Sequence, residues 1–198
     1  YEVDMRLRPS GNSGLLVTSL QAFKQYQLKE AWTWEHQALV RARPVAGSAR
    51  LAEAFTVVRG EILSQSRDAA VLRQEVIDMR EKMRKHLGSS ESTEGVDLKQ
   101  DAGGIVDIEF SVQYLVLRHA AEASGLFEYT DNIRILDALE SGGYLCQQSA
   151  EALRECYKTY RSIGHRQSLE ERKGLVSEAE IAEMRATVSG IWGEIFSP

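Results

Sequence analysis

The pattern of apolar and polar positions changes period once, near residue 20. In residues 1–8, apolar side chains alternate strictly with charged ones, the period-2 pattern of a half-buried β-strand, and Pro9 ends it. The turn-forming residues 10–14 and the apolar run 15–18 follow, which predicts a β-hairpin. Beyond the hairpin, apolar residues recur at helical spacing. The chain therefore predicts a short β segment followed by helices.

The helical part predicts a bundle with one central helix. Ser19 and Ser48 are placed to cap helices, and Ser177 with Glu180 forms a capping-box pattern. The helix that starts at Ile105 is hydrophobic nearly all round, so we expect it to be central. Helices with clear bounds are predicted at about residues 30–43, 68–87, 105–121, 131–141, 149–163 and 179–196. The predicted fold class is mainly α, a helical bundle of about six or seven helices preceded by a short β-hairpin.

Composition narrows the class of protein. Of the 198 residues, 43% are hydrophobic and 27% are charged, which is typical of a globular domain. No apolar run reaches the roughly 18 residues that span a bilayer, and no signal-peptide pattern is present, so we expect a cytoplasmic protein without membrane contact. A net charge of −5 gives no basic footprint for nucleic acid. Two cysteines without metal-ligand spacing predict reduced thiols.

Residues 88–96 are polar and flexible in composition, which predicts a mobile loop.

The opening strand contains the sharpest candidate for chemistry, Asp4. A carboxylate held on a strand can bind Mg²⁺ with little motion. Alternatively, Asp4 pairs with Arg6 or Arg8 across a sheet, and the motif taken alone favours this ion pair because such pairs are common.

A second candidate lies on the helix predicted at 30–43. Trp34 and Arg41 share one helical face with Gln37, an arrangement that can hold a nucleotide phosphate between an aromatic plane and a guanidinium. The alternative is equally supported: the indole belongs to the core, and Arg41 and Arg43 are solvated and complement the helix dipole.

A third candidate surrounds the start of the central helix. Asp107 suits the helix N-terminus without any function. Glu109 and Gln113 lie one turn apart on an otherwise apolar helix, and buried polar groups require partners. They predict either a structural polar network or the wall of an active site. The basic run that includes Arg80, with Lys82, Arg84 and Lys85, predicts a solvated helix face.

Three segments taken together resemble a known family. They read V-D-M-R-L-R-P-S-G, W-E-H-Q-A-L-V-R-A-R and D-L-K-Q-D-A-G-G-I-V-D-I-E-F-S-V-Q-Y-L-V-L. In this order they are similar to the bacterial glutamine synthetase adenylyltransferases, over residues 2–161. The second and third segments are closer to the C-terminal, adenylylating half of that bifunctional family than to the adenylyl-removing half.

The resemblance implies an enzyme that transfers AMP from ATP to a tyrosine of glutamine synthetase, with Mg²⁺ as cofactor and a PII-type signalling protein as a further partner. Asp4 matches the third metal-binding carboxylate of the family, with Arg6 and Arg8 beside it. Arg41, Arg43 and Lys99 are expected to contact phosphate or a neighbouring domain.

The same resemblance divides the chain into two parts. Residues 1–19 would be the last strands of a nucleotidyltransferase α/β sheet, and residues 20–198 a helical domain. The family's G-S…D-x-D segment does not occur in these 198 residues, so the chain is expected to be an inactive fragment. The alternatives are a helical module that docks glutamine synthetase or the PII-type protein, and the adenylyl-removing half.

Overall fold

The computed structural model describes residues 9, 11–89, 95–171 and 175–197. Within these ranges lie eight α-helices, two short strands and two 3-10 turns. The helices are α1 Leu20–Lys29, α2 Thr33–Val40, α3 Ala49–Leu63, α4 Ala69–Leu87, α5 Ile105–His119, α6 Asn132–Ser141, α7 Gln147–Leu169 and α8 Glu178–Ile195; the 3-10 turns are Gly11–Ser13 and Ser124–Phe127. The predicted mainly-α class is confirmed, with slightly more helices than predicted.

Helix α5 is the centre of the bundle, as its composition predicted. It packs against α2, α4, α6, α7 and α8, so almost no part of its surface reaches solvent. Ile108, Val112 and Val116 are fully buried on it. Among the described residues, none of the helices combines the length and the apolar character that a membrane crossing requires.

Several helices begin at side-chain caps. The Ser19 hydroxyl accepts a hydrogen bond from the Ala22 amide at 3.1 Å, and Ser48 accepts one from Leu51 at 3.3 Å, as predicted. The capping box predicted at the start of α8 does not form, because the Ser177 side chain accepts no bond there. The acidic first turn of α8 complements the helix dipole instead.

Helix α2 is shorter than the predicted 30–43. Its start is set by Glu35, whose carboxylate accepts a hydrogen bond from the Trp32 amide at 2.9 Å. Its end is set by the buried Arg59 guanidinium, which donates to the last carbonyls of the helix, Leu39 O at 2.9 Å and Val40 O at 2.5 Å. Arg59 also donates to Phe127 O at 2.6 Å, so one side chain joins three segments of the chain.

The β structure differs from the predicted hairpin. Residues 1–8 lie outside the described residues, and residues 15–18 form no strand. Leu15, Leu16 and Val17 are largely exposed, because no strand of the described chain runs beside them. The two strands that do form, β1 Val96–Asp97 and β2 Leu175–Val176, pair antiparallel and join the α4–α5 connection to the α7–α8 connection. Residues 90–94 of the predicted mobile loop also lie outside the described residues.

Candidate functional site

The polar residues of α5 each find a partner on a different element. We call Asp107, Glu109, Gln113 and their partners the polar seam. Its contacts are Asp107 with Arg80 on α4, Glu109 with Arg41 at the end of α2, and Gln113 with Gln37 on α2, the amides meeting at 3.1 Å. Of the two interpretations of this motif, the contacts favour the structural polar network.

The first contact of the polar seam is a buried ion pair. Arg80 Nε donates to Asp107 Oδ1 at 2.5 Å, and the Arg80 side chain is only 2% exposed. Arg80 Nη2 also donates to the carbonyls of Gln100, at 2.8 Å, and Asp101, at 3.3 Å. The prediction that Arg80 is solvated was wrong. The signal was present in the sequence, because Arg80 follows Leu72 and Val76 at successive four-residue steps, on the face that α4 buries.

The loop before α5 turns sharply at Gly103. Its φ is +73°, and a Cβ at this position would lie 2.4 Å from Arg185 O. The Gly103 amide donates to Asp107 Oδ2 at 2.6 Å, and its carbonyl accepts from the Tyr160 hydroxyl at 3.0 Å. Burial raises the pKa of Tyr160, so this phenol stays protonated and remains a donor. The loop before α5 is therefore fixed to α4, α7 and α8.

The second contact of the polar seam pairs Arg41, a predicted phosphate contact, with the Glu109 carboxylate. Arg41 Nη1 donates to Glu109 Oε1, and the Tyr157 hydroxyl donates to the same oxygen at 3.3 Å. Burial alone would lower the pKa of Arg41, but the Glu109 carboxylate and the Tyr157 hydroxyl together outweigh it, and the pKa is raised. Trp34 lines a cavity between α2 and α4 whose lining does not include Arg41, so the structure does not combine these two side chains into one phosphate clamp.

The other two predicted cations lie at the surface, in separate places. Arg43 lines an apolar groove of about 300 Å³ together with Phe23 and Phe55. Lys99 lines another cavity of about 300 Å³ before α5.

The Lys99 cavity contains two further nitrogen-bearing side chains that sequence reasoning missed, Arg161 and His165. They lie one turn apart on α7, with Arg161 Nη2 3.1 Å from His165 Nε2. The i, i+4 spacing of Arg161 and His165 was visible in the sequence, but tertiary packing brings these two residues close to Lys99. Within the described ranges, neither Lys99 nor Arg161 forms an ion pair with a carboxylate. Asp97 also lines the cavity, and its Oδ1 accepts hydrogen bonds from the Lys99 and Gln100 amides.

The predicted metal ligand cannot be placed. Asp4, Arg6 and Arg8 lie outside the described residues. In the part of the chain that the structure describes, no group of three or more His, Cys, Asp or Glu side chains is arranged to hold a metal ion.

Comparison with known proteins shows where the sequence belongs. The family described as Glutamate-ammonia ligase adenylyltransferase matches residues 1–58, and the family described as GlnD PII-uridylyltransferase matches residues 72–175. The bifunctional glutamine synthetase adenylyltransferase/adenylyl-removing enzyme of Pseudomonas aeruginosa is 52% identical over 206 residues, covering 98% of this chain and 21% of the relative. The chain belongs to the glutamine synthetase adenylyltransferase family.

Other members of this family match equally broadly. The Hahella chejuensis enzyme is 52% identical, covering 100% of this chain and 21% of the relative, and the Acinetobacter baylyi enzyme is 49% identical, covering 100% and 22%. The chain thus spans about a fifth of the length of the curated relatives it matches. The polar seam crosses between the two matched segments, since Gln37 and Arg41 belong to the first and Gln113 and Glu109 to the second.

Proposed function

We propose that this chain is part of an enzyme that transfers AMP from ATP to a tyrosine of glutamine synthetase, and that it comes from the adenylylating half. Support comes from the identity of about 50% along the whole chain with enzymes named for this activity. This identity is the observation that carries the proposal, and the polar seam adds that two of the three resembling segments pack against each other. In the proposed reaction, the tyrosine oxygen attacks the α-phosphorus of ATP and pyrophosphate leaves.

The proposed role of the helical domain is to support the nucleotide site. Paired to Glu109 and still 35% exposed, Arg41 would be a positioned cation at a domain contact rather than a mobile surface charge. In this proposal Asp4 is a Mg²⁺ ligand, and Arg6 and Arg8 lie near the phosphates. Mg²⁺ would supply neutralisation of phosphate charge.

Lys99 is proposed as a phosphate contact. Its cavity gathers Lys99, Arg161 and His165, and Arg161 offers a planar guanidinium that suits phosphate oxygens. Arg43 is proposed as a contact to a neighbouring domain, since it is exposed beside an apolar groove. Because ATP and glutamine synthetase are the proposed substrates, we propose a cytoplasmic location.

A PII-type signalling protein is a second proposed partner. The match of residues 72–175 to a PII-uridylyltransferase family favours it, since that family is named for a reaction on PII. The matched segment comprises most of α4, all of α5 and α6, and α7, so this docking role would belong to the helical part. It is compatible with the catalytic role of the whole enzyme.

The proposal is tested with the full-length natural enzyme that contains this chain. Transfer of labelled AMP to purified glutamine synthetase is compared between the wild type and Asp4→Asn, with Glu2→Gln as the matched control. We expect Asp4→Asn to slow transfer at least about 100-fold, the usual cost of losing a group that stabilises transition-state charge. Glu2→Gln should leave it nearly unchanged.

Adenylyl removal is measured in parallel to identify the half. Retention of removal in Asp4→Asn supports the adenylylating half, whereas loss of removal with intact transfer would assign the chain to the other half. Unchanged rates of both reactions would overturn the role of Asp4. The isolated 198-residue chain is expected to transfer no AMP, and measurable transfer would contradict the predicted split of the metal ligands.

A further inference from the structure

The start of α2 and the middle of α4 enclose a cavity that neither the polar seam nor the proposed nucleotide site uses. Its volume is about 480 Å³, and Trp32 and Trp34 form its aromatic side. The Trp32 indole is 70% exposed, although an aromatic ring of this size is usually covered. We call this the tryptophan cavity.

The tryptophan cavity is acidic. Glu30, Glu75 and Asp78 line it, against one cation, Lys82. Within the described residues, none of these four side chains takes part in an ion pair. The cavity therefore presents a net negative charge beside two indole rings.

Two of the carboxylates are positioned by neighbours but keep free acceptor capacity. Glu75 accepts a hydrogen bond from the Thr33 hydroxyl at 2.5 Å, and Asp78 accepts one from the Gln74 amide at 2.7 Å. A carboxylate offers about four acceptor positions, so one such bond leaves room for a ligand donor. The neighbouring bonds orient both carboxylates before any ligand arrives.

This chemistry excludes a phosphate at Trp34 and favours a cation. A negative ligand would be repelled by the carboxylates, whereas a cation is attracted both by them and by the face of an indole. Among biological cations, a guanidinium fits best, because its plane stacks on an aromatic ring while its N–H groups reach carboxylate oxygens.

We propose that the tryptophan cavity binds an arginine side chain presented by a partner protein. The charge complementarity and the exposed Trp32 identify the occupant, since Trp and Arg are the residue types that dominate binding energy at interfaces. The inference goes beyond the proposed function and does not depend on it.

The test is a fluorescence titration of the 198-residue chain carrying Trp192→Phe, which leaves Trp32 and Trp34 as the only tryptophans. The probes are the peptide acetyl-Gly-Arg-Gly-amide and the same peptide with citrulline, which has nearly the same shape without the charge. We expect a saturable change with the arginine peptide, and an at least fivefold weaker response with citrulline.

Variants then locate the binding. Two variants should each weaken the affinity for the arginine peptide by about two- to fivefold, as expected for exposed cation–π and charge contacts. They are Glu75→Gln and Trp32→Ala, and in the second the remaining Trp34 reports the binding. The matched control is Glu53→Gln, which removes the same charge from an exposed position on α3 and should change nothing. Equal responses to both peptides, an unchanged affinity in Glu75→Gln, or equal weakening in Glu53→Gln would each overturn the proposal.

Discussion

Removing the carboxylate of Asp107 should destabilise the protein more than almost any other single polar change. Asp107→Ala leaves Arg80 as an uncompensated cation whose side chain is 2% exposed. It also removes the acceptor of the Gly103 amide, which now donates to Asp107 Oδ2 at 2.6 Å. The Gly103 backbone would then be held by the bond from the Tyr160 hydroxyl to its carbonyl, without its bond to α5.

The magnitude follows from this geometry. Breaking a buried ion pair by removing one partner costs about 3–5 kcal/mol, because the remaining charge stays desolvated. Asp107→Asn should cost near the lower end, about 3 kcal/mol, since the amide oxygen can still accept one of the two bonds. Against a total stability of about 5–15 kcal/mol, either change is large.

Removing both charges should be less harmful than removing one. In the double variant Arg80→Met/Asp107→Ala, no charge is left buried, so we expect a smaller loss than in Asp107→Ala alone. With Arg80→Met as the other single variant, we expect a coupling energy of at least about 2 kcal/mol. Urea unfolding followed by far-UV circular dichroism measures each free energy, and an unchanged m value confirms that the same transition is compared.

An exposed ion pair supplies the control. Glu155 and Lys158 are 66% and 55% exposed, so Glu155→Gln should change the stability by less than about 0.5 kcal/mol. Two results would refute the reasoning. One is a loss of stability below about 1 kcal/mol for Asp107→Ala, and the other is a double variant whose loss equals the sum of the losses of the two single variants.

Three further predictions concern the supports of α2 and α5. Burial, with Arg67 nearby, lowers the pKa of His36, so the unfolded chain binds more protons than the folded protein. The free energy of unfolding should therefore fall as the pH drops below about 6.5. Urea titrations at pH 7.5 and 5.5 should show a smaller fall in His36→Gln than in the wild type. Gly103→Ala should lower the thermal midpoint well beyond Gly143→Ala, which has a similar φ of +75° but open space at the Cβ. Arg59→Met should lower the free energy of unfolding, measured in urea, by about 2–4 kcal/mol, because three carbonyls lose a buried donor.

Local chemistry explains what could be predicted from the sequence. Ser19 and Ser48 cap helices because a hydroxyl before a helix satisfies free amides whatever the tertiary context. The apolar sequence of α5 required neighbours on all sides, and the bundle provides them. Glu109 and Gln113 had to find partners, although the spacing alone could not say on which helices.

Tertiary contacts explain what could not be predicted. The buried face of α4 marks the position of Arg80, but the sequence does not show that its charge is paired with Asp107 on the neighbouring helix α5. The run 15–18 has strand-forming residues but no neighbouring strand among the described residues, so β propensity alone did not decide its structure. The Lys99 cavity combines residues about 60 positions apart, which no local pattern reveals.

The most direct test of the nucleotide-binding role is a calorimetric titration of ATP with Mg²⁺ into three proteins: the full-length enzyme, its Asp4→Asn variant and the isolated chain. We predict binding to the full-length enzyme, a marked loss of affinity in Asp4→Asn, and no binding to the isolated chain. Equal affinity of the full-length enzyme and Asp4→Asn would contradict the prediction that Asp4 completes the metal site, and would leave ion pairing as its role.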